Sequence, residues 1–100
     1  MNKNNSTWLF EDPPNVAVIT STDILQGGKP ILFVSHDSDD GAWQFHTSEN
    51  VSIDNAMTVA LARIVALDPS IQELADLPLG WIAVRQEVKH SWIRIDQTQS

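Results

Sequence analysis

Three histidines, a run of acids and four tryptophans are the residues of this 100-residue chain whose types and spacing could carry chemistry. His36, His46 and His90 would form a metal or acid–base site if the fold brought them together. None stands in a His-x-x-x-His or His-Glu-x-x-His spacing, and strand alternation sends His36 and His46 to opposite faces. Asp37, Asp39 and Asp40 follow His36 directly and suggest a divalent-cation loop. The calcium pattern needs D-x-D-x-D-G and a glutamate at its twelfth position. Here the third Asp and the Gly come one residue early, and position 48 is Ser. The expected role of these acids is a solvated hairpin tip, where carboxylates tolerate turn geometry. No metal and no cofactor are expected.

Covalent catalysis has little to work with. The chain has no cysteine, which removes disulfides, thiolate chemistry and Cys-based metal sites together. No serine lies in G-x-S-x-G, and no phosphate-cradling glycine loop is present. Gly27-Gly28-Lys29 is too short for one and runs into Pro30, so it reads as a turn. An enzyme is not expected.

The tryptophans point to recognition instead, because Trp is the residue most favoured at interface hot spots. Trp43 is expected in the core. Trp81 and Trp92 are in phase with Arg85 and Arg94 on their strands, opposite Ile82, Val84, Ile93 and Ile95. If those aliphatics fill the core, Trp81, Arg85, Trp92 and Arg94 form an outer face suited to packing, cation–π contact and bidentate hydrogen bonding. Such a face must be covered by the chain's own Trp8–Phe10 segment, by a second copy in a homodimer, or by a foreign partner.

Charge narrows the partner. Thirteen acids against six bases leave −7, with a pI near 4.5. Nucleic acid and anionic membrane surfaces both require clustered Lys and Arg, so neither is an expected partner. Residues 1–79 hold eleven acids and three bases, whereas residues 80–95 hold Arg85, Lys89 and Arg94 against Glu87. The acidic majority either serves solubility or steers in a basic protein.

These residues need a scaffold, and 42% hydrophobic residues over this length supply one core. The apolar runs are far too short for a transmembrane helix, and the polar start lacks a signal-peptide core, so a cytoplasmic location is expected. A single domain over residues 1–100 is expected, with 1–10 and 96–100 as flexible tails. Val16–Thr20 reads as a strand, Ser21–Gln26 as one helical turn stopped by Gly27-Gly28, and Ile31–His36 as a second strand. Asp37–Gly41 then makes a hairpin to Ala42–Thr47, with Asp40-Gly41 as a type I′ signal. Leu32, Val34, Trp43 and Phe45 share its core face, with His36 near the turn, while Gln44 and His46 face away. Met57, Ala60, Leu61, Ile64 and Leu67 follow helical spacing, capped by Asp54 or Ser52. Asp68-Pro69 starts a short second helix to Ala75, with Ser70 and Glu73 as a capping box. Trp81–Arg85 and Ser91–Ile95 form a second hairpin. The order of strand, hairpin, helix pair and hairpin predicts an α+β domain, its mainly antiparallel sheet carrying helices on one face.

The chain carries Val16-Ala17-Val18-Ile19-Thr20-Ser21, Gly27, Asp39-Asp40-Gly41 and Trp43-Gln44-Phe45, followed by Asp68-Pro69-Ser70-Ile71-Gln72-Glu73-Leu74, Pro78, Gly80 and Arg85. This set resembles a family of small uncharacterised bacterial proteins and, more distantly, the immunity-protein-like domain of unknown function. The resemblance implies an α+β domain without assigned catalytic residues, some of whose relatives neutralise a toxin by binding it. The expected function is therefore a non-catalytic, protein-binding module of that immunity type. The alternative is a small-ligand-binding domain or enzyme, with a site in the sheet/helix cleft near His36, Asp37 and Trp43.

Overall fold

The computed structural model describes residues 8–51 and 53–98. The expected tail residues 1–7 and 99–100, and Ser52 as a helix cap, lie outside the described residues. Six strands form one sheet: β1 (Ala17–Ser21), β2 (Phe33–His36), β3 (Trp43–His46), β4 (Ala56–Ala60), β5 (Trp81–Val84) and β6 (Ile93–Asp96). Their order is β4-β1-β3-β2-β5-β6, parallel between β1 and β3 and antiparallel elsewhere. Among the described residues, two α-helices, α1 (Thr22–Leu25) and α2 (Leu61–Leu67), and the 3₁₀ segments Ile53–Asn55 and Pro69–Leu74 accompany the sheet. The architecture is the expected α+β one.

The first hairpin has the expected register, Val34 opposite Phe45 and His36 opposite Trp43. Its turn differs. Gly41 alone has positive φ, at 75°, and Asp40 does not, so the loop is not a type I′ turn. Gly41 N donates to Asp37 O and Asp37 N donates to Ala42 O, a wider closure that needs one left-handed residue.

The segment expected as one helix to Leu67 divides into the 3₁₀ turn, β4 and α2. Met57 and Val59 are half-buried and alternate with exposed Ala56, Thr58 and Ala60, a period of two that the alanines conceal. β1 supplies what a local pattern cannot, a ladder of five antiparallel pairs from Ala17–Ala60 to Ser21–Ala56. The helical period takes over at Leu61 and Ile64, both fully buried, while Leu67 is exposed. At the next element the cap is Asp68, not Ser70. Asp68 Oδ1 accepts from Ser70 N and Ser70 Oγ, with Pro69 in the first turn.

Leu61, Ile64, Ile71 and Leu74 share one buried cluster with Val18, Val34, Trp43, Phe45 and Ala83. The helical segments therefore cover the sheet face that carries those strand residues. Trp8 and Phe10, assigned to a tail, also pack there. Phe10 is buried and meets Trp43 edge-on at 5.1 Å, while Leu9 N donates to Gln72 Oε1. Asp96, likewise expected in a tail, closes β6 opposite Trp81.

Candidate functional site

Strand register assigns the two faces. On the covered face, Phe45, Val34, Ala83 and Arg94 form one row and Trp43, His36, Trp81 and Asp96 the next. On the other face, His46, Phe33, Val84 and Ile93 form one row, and Ile19, Gln44, Ser35, Ile82 and Ile95 the next. The phase relation expected for the second hairpin holds, but its sign is reversed. Ile82, Val84, Ile93 and Ile95 do not fill the core; Ile93 is 60% and Ile95 38% exposed. Trp81 and Trp92 pack against the core instead.

Arg85, expected on an outer contact face, is 6% exposed. Its Nε and Nη2 donate to Ile31 O, its Nη1 to Ser70 Oγ and Val88 O, and its Nη2 to Asp68 Oδ2 at 2.6 Å. The guanidinium lies 4.0 Å above the Trp92 ring. One side chain thus ties β5 to the start of the 3₁₀ segment, to Ile31 and to the turn leading into β6. Asp68 both caps that segment and receives Arg85, so the hydrogen-bonding capacity expected for a partner is used inside the molecule, through one bond to the carboxylate and the rest to Ile31 O, Ser70 Oγ and Val88 O. Arg94 behaves likewise at the surface, donating to Glu73 O and pairing with Asp76 at 2.8 Å. Hydrogen bonding from Arg94 is the main cause that holds the Asp76 carboxyl below its usual range. The expected contact set of Trp81, Arg85, Trp92 and Arg94 is therefore brought together, but against the chain's own helical layer.

The histidines do not converge. His36 lies on the covered face, stacked on Trp43 at 3.8 Å between centroids, with Nδ1 2.7 Å from Leu77 O. His90 pairs with Glu87 in the last turn. His46 lies on the other face, buried beside a cavity of about 40 Å³ that is also lined by Ser21, Asp23, Thr47, Asn50 and Asn55. Burial lowers its pKa from the ordinary 6.5, with Asp37 opposing the shift. Among the described residues no three His, Asp or Glu side chains gather where they could hold a metal ion.

A polar chain on the open face escaped the sequence reading. Ser35 Oγ donates to Asp37 Oδ1, Gln44 Nε2 donates to Asp37 Oδ2, and His46 Nε2 meets Gln44 Oε1 at 2.9 Å. The carboxylate only accepts, which fixes the amide; the amide oxygen then fixes the proton on His46 Nε2. Alternation of small polar residues at 35, 37, 44 and 46 was the available signal. The arrangement lacks the order of a nucleophilic relay, since Ser35 bonds the acid directly and no histidine bonds a hydroxyl among the described residues.

Two further concave regions bear on the sequence-predicted residues. A cleft of about 420 Å³ opens on the covered side between the N-terminal segment, His36 and residues 75–79. The second, of about 410 Å³, lies at the hairpin tip beside Ser35, Asp39 and Ile82. No helix of the described residues is long and apolar enough to cross a membrane. Comparison with family models, with curated proteins and with solved structures finds no match.

Proposed function

We propose that this chain is a non-catalytic protein-binding module that works in the cytoplasm by occlusion, in the manner of toxin-neutralising immunity proteins. Its contact surface is the open face of the sheet, in place of the Trp/Arg face. The observation that carries this reading is the run of Phe33, Ile82, Val84, Ile93 and Ile95 over three adjacent strands, ending on a free edge where Ile93 is 60% exposed. Apolar side chains grouped in this way gain free energy when a second surface covers them.

The charge around the run selects the partner. Asp37 and Asp39 stand at one end, beside Ile82, and Glu49 stands at the other, beside Phe33 and Val84. With a net charge of −7, this rim steers in and orients a basic protein. A second copy fits less well, because a symmetric pair would set two acidic rims against each other.

Affinity capture from an extract of the native host, with wild type and the Ile93→Ser/Ile95→Ser variant, tests the proposal. The expected result is a basic protein retained by the wild type and lost by a variant that melts at the same temperature. Retention by both, or a concentration-dependent dimer in sedimentation that the variant abolishes, would overturn it.

A further inference from the structure

The cleft on the covered side has its own chemistry, independent of the open face. At about 420 Å³ it falls in the size range of small-ligand sites. His36 is fixed in it by the stack on Trp43 and by Leu77 O, 2.7 Å from Nδ1. A carbonyl oxygen only accepts, so Nδ1 carries a proton; in the neutral tautomer that this contact selects, Nε2 is an acceptor. Nε2 has no partner among the described residues. The other polar side chains of the lining are the carboxylates of Glu11, Asp12 and Asp76, and the indole of Trp43. That indole N–H already donates to Asp12 Oδ2 at 2.9 Å. With Asp12 taken up by that indole and Asp76 by Arg94, the Glu11 carboxylate and, in that tautomer, His36 Nε2 are the acceptors the cleft offers. Phe10, Pro78 and Leu79 add an apolar wall.

We infer that this cleft binds a short organic cation, an alkylammonium or guanidinium group on an apolar stem. The head donates to His36 Nε2 and the Glu11 carboxylate, and the stem lies along the apolar wall. An anion would meet only carboxylates and a lone pair. A neutral apolar ligand would leave these acceptors dehydrated and unpaired, which is costly. The same head chemistry belongs to free polyamines and to the Lys or Arg side chain of another protein.

Proton–nitrogen NMR on the full chain, following the Trp43 indole and His36 ring signals, tests the inference with four probes. Agmatine represents the free cation, N-acetyl-lysine methylamide the protein side chain, and pentanoate and pentanol the anionic and neutral controls. At least one cation is expected to move both signals saturably, and the controls are not. Agmatine alone would identify a small molecule as the source; the capped lysine binding as tightly would identify a protein side chain. Glu11→Gln, an exposed position, and His36→Phe, which keeps the stack, should each weaken binding roughly tenfold. Absence of saturation with both cations, equal shifts with pentanol or pentanoate, or unchanged affinity in both variants would refute the inference. Because the open face plays no part, these outcomes do not depend on the protein-binding proposal.

Discussion

Arg85→Met separates a structural arginine from a recognition arginine. Methionine keeps the length and apolar volume of the stem and removes the guanidinium. In the wild type the Arg85 side chain is 2% exposed and that of Asp68 17%. Deleting one partner of a buried ion pair costs about 3–5 kcal/mol, most of it the stranding of the remaining charge. Asp68 moderates this, because it stays in reach of water and keeps its bonds from Ser70 N and Ser70 Oγ. Ile31 O loses both the Nε and Nη2 donors in a buried setting. The cation–π contact with Trp92, worth about 1 kcal/mol, is partly replaced by a sulfur–aromatic one. The net expectation is a loss of about 3 kcal/mol.

Urea denaturation measures this directly, and for a chain of this size the same loss lowers the melting temperature by about 12–24 °C. Adding Asp68→Asn removes the stranded charge, so the double variant should be more stable than the sum of single effects by about 1–2 kcal/mol. A loss below about 1 kcal/mol for Arg85→Met, with additive single effects, would refute the structural assignment. It would return Arg85 to the list of residues held for a partner.

Trp43→Ala removes the platform for His36 and Phe10 from a site that is 2% exposed, and should cost about 3–5 kcal/mol in the same assay; an unmoved midpoint would contradict the packing of the first hairpin. His46 sets a pH dependence. Its folded pKa lies below 6.5, so its contribution is fully present above 6.5 and is lost as pH falls through the lower folded value. Stability should fall below pH 6.5 before the carboxylates titrate, and His46→Gln should flatten that part of the curve; identical curves for the two proteins would disprove this.

Legibility in the sequence followed the range of the forces involved. The first hairpin was legible because Asp37 to Gly41 punctuates two short β-rich segments and period-two alternation does the rest, even though the turn closes differently. The second element, residues 53–67, was not. Met57, Ala60, Leu61 and Ile64 fit a helix as spacing alone, and only pairing with β1, some forty residues earlier in the chain, makes 56–60 a strand. Likewise the docking of Trp8 to Asp12 depends on Asp12 accepting from both Trp8 and Trp43, the second over 31 residues.

The candidate site turned on a sign that alternation cannot supply. Trp81, Ala83 and Arg85 share one face of β5 and Ile82 and Val84 the other whichever way the strand is turned. Hydropathy favours burying the isoleucines; three other facts outweigh it. Ala83 is small enough to sit under the helical layer at 0% exposure, Asp68 waits in that layer as a partner for Arg85, and Trp92 offers the guanidinium a ring. Burying Arg85 is possible only because its donors find acceptors at the end of α2 and in the loop before β2. Asp68 stands 17 residues from Arg85, in the same D-P segment that caps the 3₁₀ turn. Once arginine and tryptophan are consumed inside, β5 and β6 have only rigid aliphatic side chains to present outward. On the proposed contact surface, recognition would therefore work through shape and exclusion of water, with charge confined to the rim of Asp37, Asp39 and Glu49.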